Sequence, residues 1–300
     1  MPHKRILLIG PHGQVGWELL RCVLPLGQVF AVGRSSTEQG YAYLDLSDLE
    51  SIRSVVQEVK PALILNAAAY TAVDKAEQEP ELAYQINAHA VKVLAEEAQQ
   101  LGALLVHYST DYVFDGSQQQ FYQEDDAVQP INIYGTSKLA GEHAIQAVGG
   151  YYLILRTAWV YSLRGKNFLL TIQRLARERS ELKIVADQIG APTWSRMIAE
   201  ATAQILAQLY SPLEPKVDLA ALSGIYHLTC SGQTSWYEFA KGIIAQLEKQ
   251  PQVIPISTAD YPTPAQRPLH SVLANDKIKQ TFGIQLPNWD KALELCLTTY

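Results

Sequence analysis

A doubly wound, parallel α/β sheet completed by a smaller C-terminal substrate-binding domain is the fold this sequence predicts. Three observations carry the prediction. Up to residue 157, short continuous apolar runs alternate with longer amphipathic stretches; strands covered on both faces need no polar alternation, and strand–helix alternation builds a parallel sheet. A glycine-rich turn, Gly10 to Gly16, joins the first run to the first helical stretch. After Thr157 the alternation lapses. Residues 1–157 are therefore expected to form the first domain, 158–300 mainly the second, with 196–228 returning to the first.

The elements follow in order. Residues 5–9 make the first strand and 14–24 the first helix, with short strands at 29–32 and 41–44. Ser47-Asp48-Leu49-Glu50 has the Ser-x-x-Glu pattern of a capping box, which starts a helix over 48–59 that Pro61 ends. Residues 62–65 form a buried strand. Pro80 suits a first helical position and opens a helix over 81–101, closed by Gly102. Strands at 104–108 and 152–155 flank a helix near 134–148. Later, 167–179 and 196–209 read as helices and 224–228 as a strand. Five prolines from Pro251 to Pro268 predict a loop over a surface or a ligand. The glutamine run 118–120 and the acidic trio 124–126 read as solvated loop.

Composition narrows the functions available. The chain has 300 residues, 48% hydrophobic and 18% charged, which is globular and neither disordered nor collagen-like. Twenty-four Lys and Arg against 30 Asp and Glu leave a net charge of −6, the wrong sign for binding nucleic-acid phosphates. No apolar run approaches the ~20 residues of a membrane span. Only four apolar residues precede Gly10, too few for a secretory leader. Cys22, Cys230 and Cys296 lie far apart without metal or redox spacing and read as inert thiols. The expected location is the cytoplasm, with no nucleic-acid or membrane partner.

Gly10-Pro11-His12-Gly13-Gln14-Val15-Gly16 lies between the first strand and the first helix. Glycines there allow a tight turn and close backbone approach to a pyrophosphate, whose charge is met by the helix N–H groups. This is the Rossmann-type dinucleotide site, in a G-x-x-G-x-x-G spacing. An NAD site usually carries Asp or Glu at the end of the second strand for the adenosine 2′-hydroxyl. Here the sequence is Gly33-Arg34-Ser35-Ser36. Arg34 offers a forked cation to a 2′-phosphate, and His12 a further donor, so NADPH is the expected cofactor and NADH the alternative.

Tyr134-Gly135-Thr136-Ser137-Lys138 opens a helix and puts Tyr134 and Lys138 one turn apart on one face. A phenol alone is a weak acid near neutral pH, but a neighbouring ammonium favours phenolate and lets the hydroxyl exchange a proton with a carbonyl oxygen. Ser109-Thr110-Asp111 leaves the fifth strand at the carboxyl edge, where open α/β sheets place their sites. A hydroxyl there can share the same substrate oxygen.

Seven blocks extend the pattern: residues 10–18 (GPHGQVGWE), 66–77 (NAAAYTAVDKAE), 107–114 (HYSTDYVF), 134–142 (YGTSKLAGE), 156–161 (RTAWVY), 187–193 (DQIGAPT) and 261–268 (YPTPAQRP). Together they resemble the dTDP-4-dehydrorhamnose reductase family of extended short-chain dehydrogenases/reductases. The resemblance implies NADPH-dependent reduction of the C4 ketone of dTDP-4-dehydro-L-rhamnose to dTDP-L-rhamnose, a precursor of lipopolysaccharide or cell-wall polysaccharide. It implies Thr110, Tyr134 and Lys138 as the catalytic set. Gly10, Gly13, Gln14, Val15, Asp45, Leu46, Ala67, Ala68, Ala69 and Tyr108 would line the cofactor along with His12, Gly16, Arg34, Tyr134 and Lys138. Thr110, Asp111 and Trp159 would touch the substrate, and Arg267 is a candidate for its diphosphate.

Other readings compete. Related dehydratases carry Thr-Asp-Glu after the fifth strand, where this chain has Thr110-Asp111-Tyr112 and so lacks the extra carboxylate. A 4-epimerase would show an acidic end to the second strand. A non-catalytic NADP-binding subunit similar to the methionine adenosyltransferase beta subunit is compatible with the intact Tyr134–Lys138 pair but disfavoured by the full set of substrate-side blocks. Some members of the reductase family hold Mg²⁺ at a dimer interface through carboxylates. Glu18 matches one such position, yet Arg196 stands where another carboxylate is expected, so no metal site is predicted. The chain is expected to be a monomer or a homodimer.

Overall fold

A computed structural model describes residues 4–34, 42–210 and 218–298. Ser35, Ser36 and Tyr41 lie outside these residues. Its centre is a seven-stranded sheet in which every neighbouring pair is parallel. Strand β1 (Arg5–Ile9), helix α1 (Gln14–Val23), β2 (Gln28–Gly33) and β3 (Ala42–Tyr43) come first. Helix α2 (Leu49–Val59) and β4 (Leu63–Asn66) follow. The strand order is Gly224–His227, Tyr151–Thr157, Leu104–Thr110, β4, β1, β2, β3. The chain thus reverses direction across the sheet between β1 and β4, the crevice at which doubly wound sheets bind ligands.

The apolar runs become strands because both sheet faces are covered. Ile6, Leu8, Leu63, Leu65 and Val106 face one core, together with helix Ser195–Leu209. Leu7, Ile9, Ile64 and Leu105 face the other, against α2 and helix Ala90–Leu101. Strand Gly224–His227 extends the sheet as its edge, and helix Ser195–Leu209 packs beside α1, so late segments join early ones. Among the described residues, no helix is long and apolar enough to cross a membrane.

Three expectations need correction. Asp48, not Ser47, caps α2: its carboxylate accepts from the Glu50 and Ser51 amides, and the helix begins at Leu49. Asp is as good an N-cap as Ser and sits one residue nearer the first turn. The helix expected over 81–101 is interrupted by a π segment, Gln85–His89, between Pro80–Tyr84 and Ala90–Leu101. The carbonyl of Asn87 in that segment packs so close to Gly141 that a Cβ there would lie 2.1 Å from it. The proline-rich stretch also holds more than loop. Gln252–Ile256 pairs in parallel with Glu181–Val185, and Pro255 is tolerated because each strand of a two-stranded sheet is an edge.

Candidate active site

The glycine turn is built by close approach. Gly10 has φ +85°, and a Cβ there would meet Ala68 at 3.0 Å; a Cβ on Gly16 would lie 2.0 Å from the Gly10 carbonyl oxygen. The Gly13 amide donates to Gly10 O at 3.1 Å, and the Ala67 amide to Ile9 O at 3.1 Å. These contacts bring the loops after β1 and β4 together at the crevice. Helix α1 starts there with no side-chain cap and no acidic residue in its first turn, which suits an anion. Arg34 is exposed at the end of β2, and the His12 ring lies 3.5 Å from where a Gly33 Cβ would project. His12 and Arg34 therefore flank the place where the ribose of a dinucleotide would lie. The backbone turn fits a pyrophosphate, and the Arg34 guanidinium fits a further phosphate.

Strand β5 (Leu104–Thr110) carries the reactive edge. The helix bearing Tyr134 spans Ile133–Val148, and its start is held from several directions. Asn132 Oδ1 accepts the Gly135 amide at 2.8 Å, Glu77 Oε1 accepts the Ile133 amide at 2.8 Å, and Asn132 Nδ2 donates to Gln266 O at 2.7 Å. Farther along, the buried Glu142 carboxylate takes Arg156 Nη2 at 2.7 Å, fastening the helix to strand Tyr151–Thr157.

Within this frame the Thr110 hydroxyl lies close enough to the Tyr134 phenol to affect its ionisation. Burial pushes the Tyr134 phenol up to about 12, with the Thr110 contact opposing and the Asp111 carboxylate adding to the rise. Lys138 Nζ donates to Tyr108 O at 2.6 Å and lies 3.1 Å from His107 Nε2. Burial lowers Lys138 to about 8, with Glu142 opposing. Thr110 Oγ1 donates to Asp111 Oδ1 at 3.1 Å, while Ser271 Oγ donates to Asp111 Oδ2 at 2.6 Å. Asp111 is 2% exposed, and burial raises its carboxyl to about 7 despite those two bonds. A proton-exchanging phenol, a hydroxyl beside it and an ammonium one turn behind can protonate an alkoxide as it forms.

The later part of the chain supplies aromatic faces and one forked cation. Trp159 has φ +46° and stacks on Trp236 with ring centroids 3.5 Å apart and planes 5° apart. Gly190 makes room for it, since a Cβ there would lie 2.4 Å from the indole. Arg267 Nη2 binds Asp74 Oδ2 at 2.8 Å, and its Nη1 contacts Thr263 Oγ1 and the Ala265 carbonyl. It is a fixed, mostly covered side chain, not a free loop cation.

Several anticipated cofactor residues also make contacts within the chain. The Gln14 side chain joins the start of α1 to the 160–167 segment: its Oε1 accepts from Ser162 Oγ at 2.9 Å and Asn167 Nδ2 at 2.8 Å. The Tyr108 hydroxyl pairs with Thr202 Oγ1 at 2.8 Å, so only its carbonyl faces Lys138. Asp45 Oδ1 accepts the Ser47 amide at 2.9 Å, and Leu46 is buried. Sequence reasoning passed over Glu77, Asn132 and Ser271. Asn132 was within reach as an N-cap two residues before Tyr134. Ser271, 160 residues from Asp111, leaves no local signal.

Glu18 lies half-buried on α1, its carboxyl raised by burial with the Arg196 cation opposing. Arg196 ion-pairs Glu200 at 2.7 Å. Among the described residues, no group of three or more His, Cys, Asp or Glu side chains is placed to hold a metal.

A family profile described as RmlD substrate binding domain matches residues 4–300. The chain is 48% identical to a dTDP-4-dehydrorhamnose reductase of Burkholderia thailandensis over 98% of each chain. It is 43% identical to the enzyme of that name from Escherichia coli K12, covering 97% of this chain and 96% of the other. A crystal structure of a dTDP-4-dehydrorhamnose reductase from Bacillus anthracis in complex with NADP superposes with a TM-score of 0.90 at 35% identity over the whole of both chains.

Proposed function

The chain belongs to the dTDP-4-dehydrorhamnose reductase family, and from that premise we infer that it is an NADPH-dependent oxidoreductase of dTDP-rhamnose synthesis. Its reaction converts dTDP-4-dehydro-L-rhamnose to dTDP-L-rhamnose. The observation that carries the site reading is the start of the helix at Ile133, which sets Tyr134 and the buried Lys138 one turn apart, with Lys138 Nζ held by the Tyr108 carbonyl on β5 two residues before Thr110.

When bound, NADPH supplies a hydride to the C4 carbon. The residues of this chain do the rest. Tyr134 gives its phenolic proton to the developing C4 alkoxide, Thr110 shares the same oxygen, and Lys138 favours the phenolate left behind. The turn at Gly10, Gly13 and Gly16 and the loop at Ala67, Ala68 and Ala69 hold the dinucleotide, with Gln14, Val15, Asp45, Leu46 and Tyr108 lining it. Arg34 and His12 select the 2′-phosphate. Trp159 offers its indole to the deoxysugar, Asp111 anchors the substrate side of Thr110, and Arg267 meets the diphosphate.

In this reading residues 1–157, joined by 196–228, bind the cofactor, and most of 158–300 binds the sugar nucleotide. The enzyme works in the cytoplasm, where dTDP-sugars and NADPH are made, as a monomer or homodimer. The test is NADPH oxidation on adding dTDP-4-dehydro-L-rhamnose to the purified chain, with NADH run in parallel. Binding of NADP without turnover of the ketosugar would instead favour a regulatory subunit.

A further inference from the structure

Lys138 has a second partner that the reaction chemistry above does not use. His107, Asn66 and Lys138 are each 1% exposed, and they form a line from the loop after β4 to the reactive edge. Asn66 and His107 are direct neighbours in the pairing of β4 with β5. The Ala68 amide donates to Asn66 Oδ1 at 3.3 Å, Asn66 Nδ2 lies 3.0 Å from His107 Nδ1, and His107 Nε2 lies 3.1 Å from Lys138 Nζ.

Counting protons along this line restricts the ring. An ammonium only donates, so the Nε2 facing it must be bare. A neutral imidazole then carries its hydrogen on Nδ1, which asks Asn66 to present its oxygen; amide oxygen and nitrogen have nearly the same shape, and the amide turns to do so by exchanging the long 3.3 Å Ala68 contact for a bond from the ring. The opposite tautomer, with hydrogen on Nε2, fits only a neutral lysine amine. A doubly protonated ring would set two buried cations 3.1 Å apart. Consistently, burial first and the Lys138 charge second hold His107 well below the ordinary histidine range.

Resting on the reading of Lys138 as the partner of Tyr134, we propose that neutral His107 is a positioning residue whose bare Nε2 holds the Lys138 ammonium in its charged form. Asn66 ends β4 immediately before Ala67, so the same ring links the lysine to the start of the loop whose Ala67, Ala68 and Ala69 are assigned to the cofactor. The other charged or titratable groups near Lys138 are Tyr134 and Glu142 on its own helix, Asp111 past the end of β5 and Arg156 on the strand beyond. Glu142, paired with Arg156, acts on the lysine through its charge alone. His107 is thus the one polar side chain on β5 bonded to the lysine.

Two replacements and one spectrum test this. His107→Leu removes the acceptor, so charged Lys138 is disfavoured and the alkaline fall in kcat moves down by about one pH unit, the scale of one hydrogen bond to a charged group. In His107→Gln the amide oxygen reaches the place of Nε2 and restores the wild-type limb. A His107→Leu enzyme that melts earlier but keeps its alkaline limb would show a purely structural role and overturn the proposal. In the wild-type enzyme with NADP bound, ¹⁵N spectra of labelled histidine should show an Nδ1–H ring at neutral pH, converting to Nε2–H with the midpoint of the alkaline limb. An Nε2–H ring at neutral pH overturns it. The spectrum decides the contact even if the functional reading fails, which would appear separately as no ketosugar turnover or as full activity in Lys138→Met.

Discussion

The two sides of the site are held by different physics. At the carboxyl edge of the sheet, side chains are placed by strand register: Asn66 pairs with His107, and Thr110 with Thr157, along an uninterrupted parallel ladder. Opposite this edge, Trp159 and Arg267 are placed by one stacked indole, one ion pair and two-residue strands such as Ile189–Gly190. A ladder shares any local loss among many hydrogen bonds, whereas a few side-chain contacts have less to fall back on. Chemistry that needs sub-ångström placement is proposed for the first, and recognition of a ligand that can adjust for the second.

Tyr134→Phe tests the rigid side most severely. Only the hydroxyl is removed, in a helix fixed by Asn132, Glu77 and Glu142, so kcat should fall by ~10²–10⁴ with NADPH affinity nearly unchanged. Steady-state turnover and fluorescence titration check this. If the Phe enzyme kept about a tenth of wild-type kcat, Tyr134 would not be the acid.

Arg34→Ala comes next. Arg34 is exposed and singly placed, and one charge-assisted contact to phosphate is worth about 1.5–3 kcal/mol, or one to two decades. The KM for NADPH should rise by that factor while the KM for NADH stays put. Equal KM values for the two cofactors in the wild-type enzyme would remove the basis for this assignment.

The effect of Asp111 is read in stability. Its carboxyl titrates near 7 when folded, above its ordinary value of 3.8, so the folded state holds an extra proton between those pH values. Stability should therefore be greatest below about pH 4 with respect to this group and decline as pH rises towards 7, by up to ~1.4 kcal/mol per unit. Asp111→Asn should flatten that decline in urea titrations at pH 5, 6 and 7. An unchanged slope would mean that Asp111 is ionised throughout.

Asp74→Asn probes the adaptable side. The Asp74–Arg267 pair is partly exposed, with side-chain exposures of 43% and 21%. Exposed pairs contribute ~0.2–1 kcal/mol, so the KM for the sugar nucleotide should rise by no more than about fivefold, with kcat kept. A loss of kcat as large as in Tyr134→Phe would erase the distinction between the two sides.

The same distinction explains what could be read in advance. The ladder side is made of local signals: apolar runs, a glycine turn, a tyrosine and a lysine one helical turn apart. Each is visible within a few residues. Ser271 on Asp111, Trp236 on Trp159 and Asp74 on Arg267 join residues 77–193 positions apart, and no periodicity encodes such pairs. The cap at Asp48 was misplaced by one residue because Ser47 and Asp48 are both good caps and only geometry chooses between them. Strand Gln252–Ile256 was hidden by its proline, which an edge strand accepts.

The smallest expected effect is none at all, on removing divalent metal. The resemblance places a carboxylate-bound Mg²⁺ near Glu18 in some relatives, and Glu18 lies half-buried on α1. Here Arg196 lies close enough to oppose the rise of the Glu18 carboxyl and is itself paired with Glu200. Mg²⁺ dehydrates reluctantly and gains little from one carboxylate whose neighbour is a guanidinium. Excess EDTA should leave both turnover and the mass in solution by light scattering unchanged. A dimer that falls to monomer on chelation and returns with Mg²⁺ would mean that carboxylates from two copies rebuild the site around Arg196, and that α1 belongs to an interface as well as to the cofactor turn.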